Sequence, residues 1–141
     1  MLFRRCAGGI LFDGDKVLIL QNNKNEWVLP KGIIRDNASA GEVALNRVKK
    51  ETGIDGSIVG AAGETSYEFY SFSRQQPVCN QISWFLMEPL HDNVNISKED
   101  GFKDGGFFPI EDAIERITYS QDKSLVRVSY EKIKKEAQIG A

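Results

Sequence analysis

The sequence predicts an α+β domain, and three observations carry that prediction. Short apolar runs bounded by turn residues recur at Phe3–Phe12, Lys16–Leu20, Trp27–Leu29 and Val78–Met87, the pattern of strands. From about Ala40 the apolar period becomes helical, and it does so again near the end of the chain. No internal repeat, low-complexity tract or linker interrupts the 141 residues, a length that suits one domain with one sizeable core.

Phe3 to Phe12 reads as a strand with Gly8 and Gly9 in its middle, where glycines mark a bulge or a close backbone approach. Asp13-Gly14-Asp15 supplies a turn and Lys16 to Leu20 returns, making a hairpin. Its open edge leaves room for a homodimer. Gln21 to Glu26 is a polar loop, and Trp27, Val28 and Leu29 are extended until Pro30 and Gly32 break the pattern. Arg35, Asp36, Asn37 and Ser39 lead into a helix whose stripe is Val43 or Ala44, Leu45, Val48 and Thr52, with Gly53 placed to cap its end. Gly56 to Gly63 is short and apolar. Thr65 to Phe72 alternates polar with aromatic residues and pairs with Val78–Met87 across a turn at Ser73–Pro77. His91 to Gly105 reads as a polar loop, and Gly106 to Ile110 as a short strand that Pro109 confines to a sheet edge or end. One helix starts over Glu111–Ile117. A second covers Ser124–Ala137, with a basic wet face and Leu125, Val128 and Ile133 inward.

Composition narrows the function classes. A net charge of −2 gives no global basic field, which argues against a nucleic-acid partner, and the run Lys123–Lys135 reads as a solvated helix face. No charged-then-apolar leader opens the chain, and no apolar run nears the roughly 18 residues that span a bilayer. A cytoplasmic protein without a membrane partner is the expectation. Cys6 and Cys79 lie far apart outside any CxxC pair and read as reduced, buried thiols. His91 has no neighbouring Cys or His and is not expected to ligate metal.

The stretch WVLPKGIIRDNASAGEVALNRVKKETGI, from Trp27 to Ile54, lays out strand, glycine-bearing loop and helix, an order that presents side chains to a phosphate or a metal. With the early Gly-Gly hairpin, the late aromatic strand followed by PIEDA, and the terminal helix, it resembles the Nudix (MutT-like) family over nearly the whole chain. The resemblance implies an α/β fold, an α/β/α sandwich with a mixed β-sheet between the box helix and the C-terminal helix. It also implies hydrolysis of pyrophosphate bonds in nucleoside diphosphate-linked compounds, with Mg²⁺ or Mn²⁺. The family pattern G-x5-E-x7-R-E-U-x-E-E-x-G-U (U, bulky aliphatic) fits without insertion when Gly32 is its first glycine, and Val48, Glu51, Gly53 and Ile54 then fall in place. PKG at 30–32 and ERITYSQDKSL at 115–125 add a likeness to diadenosine polyphosphate hydrolases.

The departures from that pattern bear on chemistry. Ala38 stands for the first glutamate, Asn46 for the arginine, and Arg47 and Lys50 for two of the three clustered glutamates. Positions 47, 50 and 51 share one helical face by their spacing. In the family that face holds a divalent cation against a pyrophosphate, and hard cations need oxygen ligands. Each cation about 5 Å from such an ion would repel it by roughly 6 to 7 kcal/mol at an effective dielectric of about 20. Two readings follow. Either the site has decayed and Arg47 pairs with Glu51 one turn on, or Arg47 and Lys50 replace the metals and bind a phosphate without cleaving it. In a protein that still hydrolyses, Glu51 is the retained metal ligand or base, supplemented by Glu42, Asp100 or Asp104, with Mg²⁺ or Mn²⁺ as cofactor. In a silent one no cofactor is needed, and the partner is a nucleotide, another phosphorylated small molecule, or a protein.

The remaining candidates have two readings each. Lys31, in PKG, resembles a position near substrate phosphates, or is a solvated loop lysine. Gly32 supports an unusual backbone with or without a ligand. Trp27, Tyr67, Tyr70 and Phe72 stack on a base, with Tyr67 near the cleft, or pack as core and cross-strand pairs.

Overall fold

The computed structural model describes residues 1–139. Its elements run β1 (Leu2–Asp13), β2 (Lys16–Asn22), β3 (Trp27–Val28), β4 (Lys31–Ile33), α1 (Ala40–Thr52), β5 (Gly56–Ser71), β6 (Gln76–Pro89), β7 (Phe102–Pro109), α2 (Ile110–Arg116) and α3 (Ser120–Ile139). They build a mixed sheet in the order β3-β2-β1-β6-β5, with β4 on β1 and β7 on β2. β1 runs parallel to β6 from Leu2↔Val78 to Leu11↔Met87, while β5 and β6 form a long antiparallel ribbon.

Strand alternation sends the apolar side chains of β1 to both faces, and each face has its own core. Cys6, Ile10, Ile82, Trp84 and Leu86 pack with Ala113, Ile114, Ile117 and Val126 of the α2–α3 layer. Ala7, Leu11 and Met87 pack with Ala44, Val48 and Ile54 on the α1 side. Gly8 and Gly9 sit between the two. A Cβ on Gly8 would lie 2.6 Å from Pro30 O and 2.8 Å from Trp84 Cε3, and one on Gly9 would lie 2.8 Å from Val48 Cγ2 and Met87 Sδ. The close approach expected of these glycines is real.

Several expectations are corrected. The first hairpin offers no open edge: β1 is paired with β2, β4 and β6, and β2 with β1, β3 and β7. Among the described residues the longest strand with a free edge is β5, so the reason for a hairpin-mediated homodimer falls. Gly56–Gly63 and Thr65–Phe72 belong to one strand, in which register shifts between Ile58 and Gly60 and between Ala61 and Gly63 absorb the break. Val128 faces out at 67% exposure, because buried Ser129 takes the inward slot after Val126. Tyr67, Tyr70 and Phe72 are exposed rather than core. Cys6 and Cys79 are free and buried. No helix among the described residues is long and apolar enough to cross a membrane.

Candidate functional site

Glu51 and Thr52 are buried on the last turn of α1, and three devices fix that turn. Gly53 takes the left-handed conformation (φ 78°) and donates its N–H to Lys49 O at 2.9 Å. The loop after β6 then supplies two more donors, Asn95 N to Thr52 O (2.8 Å) and Ser97 N to Glu51 O (3.0 Å). Three carbonyls of the last turn, those of Lys49, Glu51 and Thr52, are thereby satisfied, and the loop is anchored with Asp100 beside the helix. Ser97 Oγ donates to Asp100 Oδ2 at 2.6 Å.

The cations on this face are already engaged. Arg47 Nη1 lies 3.6 Å from Glu51 Oε2, and Lys50 Nζ lies 3.3 Å from Asp100 Oδ1. Arg47 reaches Glu51 by crossing Gly32, where an added Cβ would fall 2.6 Å from Arg47 Cδ and closer still to Nε. Burial pushes the Glu51 pKa up to about 7, against the pull of Arg47, Lys31 and Lys50; Asp100 adds to the rise. The Ser97 bond, with help from Lys50, holds Asp100 below its ordinary value.

Glu51 and Asp100 open onto a cavity of about 770 Å³. Lys31 on β4 enters it, held by the pairing of Lys31 with Gly8 and by Gly9 N donating to Pro30 O at 3.2 Å. Lys31 makes no ion pair with another described residue. One wall is β5, where Tyr67 stacks on Phe69 at 5.9 Å and its hydroxyl accepts from Asn80 Nδ2 at 2.8 Å. The opposite wall is Glu26 and the start of α3, Tyr119 to Asp122. Tyr119 donates to Glu26, which pushes the tyrosine pKa up to about 12 and lowers that of the glutamate. Burial raises Asp122, with Lys31 acting the other way.

Of the residues singled out from sequence, Lys31, Glu51, Tyr67 and Asp100 line this cavity. Glu42 does not: it is exposed in the first turn of α1, with its N–H donated to Ser39 Oγ at 3.2 Å. Asp104 lies outside the lining too, in β7, where its carboxylate accepts from Gly105 N at 2.8 Å. Gly32 and Arg47 lie beneath the site, and Lys50 lines a second cavity with His91 and Ser97. Glu26, Tyr119 and Asp122 escaped the sequence reading. The segment ERITYSQDKSL contains two of them, but no period marks Ser120–Lys123 as helix.

A divalent ion would need several oxygen ligands. The face offers Glu51 and Asp100, each paired with a cation, and among the described residues no group of three or more His, Cys, Asp or Glu converges on a point. The donor set does not fit a divalent metal.

Residues 2–128 match the NUDIX domain family. The chain belongs to the NUDIX family. Its resemblance to MutT4 of Mycobacterium tuberculosis is 33% identity over 141 residues, covering 92% of this chain and 55% of that protein. This NUDIX chain thus spans about half the length of that curated relative. In fold it is similar to the Ap4A hydrolase of C. elegans (TM-score 0.70, 19% identity, 93% of this chain and 98% of that one). It is equally similar to the MutT protein of Methanosarcina mazei Go1 (TM-score 0.72, 14% identity, 94% and 96%).

Proposed function

We propose that this NUDIX protein binds a nucleotide or a related phosphorylated small molecule in the cleft, with hydrolysis weak or lost. The observation that carries the reading is the double pairing of Arg47 with Glu51 and of Lys50 with Asp100, which engages the two carboxylates that α1 and the late loop bring to the cavity. Lys31 and Lys24 line the cavity without an ion pair to another described residue, and Lys31, on β4 beside Glu51, is the cation we assign to a phosphate, since a charge-assisted contact to an ammonium is strong. Tyr67 and Phe69 offer a flat face to a base. Such a protein works without a metal cofactor, in the cytoplasm. The other reading is metal-dependent cleavage of a pyrophosphate bond, as the family implies, with Glu51 as base or ligand. What favours it is Asp100, which the late loop delivers beside Glu51, so that movement of Arg47 and Lys50 would free two carboxylates.

The test is nucleotide or phosphate release from dinucleoside polyphosphates, nucleoside triphosphates and nucleotide sugars, with Mg²⁺ or Mn²⁺ and with EDTA. We expect no metal-dependent turnover, together with thermal stabilisation by a nucleotide in EDTA that falls at least tenfold in apparent affinity in Lys31→Ala. Metal-dependent turnover abolished in Glu51→Gln would reverse the choice between the two readings.

A further inference from the structure

The outer edge of β5 is protected over its first half and open over its second. Early in the strand the two register shifts bend the ladder, and Lys132 Nζ from α3 donates to Ala61 O at 3.2 Å. From Glu64 to Ser71 the ladder with β6 is regular, and among the described residues no strand or helix pairs with the far side. Edges are commonly guarded by charged side chains, proline or a bulge; Glu64–Ser71 has no proline and no bulge, and its charges, Glu64 and Glu68, are both acidic. Alternation puts Glu64, Ser66, Glu68 and Tyr70 on the α1 side and Thr65, Tyr67 and Phe69 on the other. Ser83 Oγ, bonded to Glu64 at 3.2 Å in the row of Ala7, confirms that assignment. Tyr67, Phe69 and Tyr70 are 41%, 39% and 51% exposed, and their rings are already ordered in pairs, Tyr67 with Phe69 and Tyr70 with Phe72.

We propose that the Glu64–Ser71 edge accepts a further strand from a partner protein, an extended segment with lysine or arginine at alternate positions and apolar residues between them. Charge selects this occupant over a second copy of the chain. Antiparallel self-pairing would crowd Glu64 and Glu68 of both copies onto one face with no basic residue in the stretch, and like charges across a ladder destabilise it. A basic alternate set meets those glutamates instead, and the apolar set meets Tyr67 and Phe69 on the opposite face, the rings assigned above to a base, so partner strand and nucleotide compete for them. Backbone hydrogen bonds supply the affinity and the alternating side chains the selectivity.

The probe is a fluorescein-labelled eight-residue peptide of alternating Lys and Val, capped at both ends, followed by anisotropy with the full chain. Saturable binding is expected, with amide hydrogen exchange slowed at least tenfold within residues 64–71 and unchanged across 56–62. Glu64→Lys combined with Glu68→Lys should weaken binding at least tenfold at unchanged Tm, and an alternating Glu-Val peptide should not bind. The decisive control leaves the protein untouched: of two peptides N-methylated on one or the other alternate set of amides, at least one must lose binding. Equal binding by both would show charge adsorption without a ladder and overturn the proposal. So would the absence of slowed exchange at 64–71. A concentration-dependent dimer in sedimentation equilibrium, with the same amides protected in the protein alone, would assign the edge to a second copy.

Discussion

Gly32 has no room for a methyl group, because the Arg47 side chain crosses its α-carbon on the way to Glu51. Gly32→Ala should therefore cost about 1–3 kcal/mol through overpacking, and most of that cost should vanish in an Arg47→Ala background. Urea denaturation of the four proteins in the cycle measures the coupling; additive costs would mean that the clash lies elsewhere. Glu51 makes a second prediction, from its titration. The folded protein holds its proton up to about pH 7, whereas an unfolded chain releases it near 4.5. Between those values the folded state binds more protons, so stability is fully present below about pH 4.5 and is lost as pH rises through 7. The full span is on the order of 3 kcal/mol. Glu51→Gln should flatten this slope and exceed the natural protein in unfolding free energy at pH 8 while matching it at pH 5. Position 51 stood out in the sequence because the family pattern, aligned on Gly32, places a glutamate there. Its protonation did not, since that depends on burial by residues far along the chain.

The box helix is an element whose bounds were legible in the sequence, from a start near Ala40 to the Gly53 cap. The structure adds Ser39 as the residue that caps its first turn. A prediction belongs here. Gly53→Ala must adopt φ 78° and bring its Cβ to 3.0 Å from Asn95 Cβ, so a loss of about 1–2 kcal/mol is expected in thermal unfolding. Because Asn95 and Ser97 bond the same turn, the loop as far as Asp100 should also gain faster amide exchange. Elements without a period of their own were harder to see. Lys103, Asp104, Gly105 and Gly106 are poor strand formers, yet they extend β7 because β2 offers a ladder from Lys16↔Pro109 to Gln21↔Asp104. Ser120 to Lys123 likewise become helix in a polar segment, and this put the start of α3, with Tyr119 and Asp122 at the cleft, out of reach.

Over the whole molecule, the two glycines of β1 separate two cores that a single strand must serve. The contacts rank their substitution. A methyl at Gly8 meets an indole ring and a backbone carbonyl, and Gly8→Ala should cost about 3 kcal/mol; at Gly9 it meets the ends of Val48 and Met87, which can give way, and about 1–2 kcal/mol is expected. Chemical denaturation that reversed this order would contradict the packing described. Strands and helices were legible from their apolar patterns, whereas the α/β/α layering was implied by the resemblance to the family. The cleft was not legible, because its walls come from the β2–β3 loop, β4, β5, the late loop and the start of α3, which only the tertiary fold brings together. The parallel pairing of β1 with β6 also sets a folding schedule. Arg4 and Asn80, bonded across it at 2.9 Å, lie 76 residues apart, so loop-closure entropy is lost long before those contacts offset it. The β5–β6 ribbon closes over a short turn and can form early. During synthesis β1 leaves the ribosome before β6 and then waits, without that partner strand, until β6 has emerged. The strand at the centre of the finished sheet is thus expected to dock late, and until then its apolar run from Ile10 to Phe12 is in the care of whatever binds nascent chains.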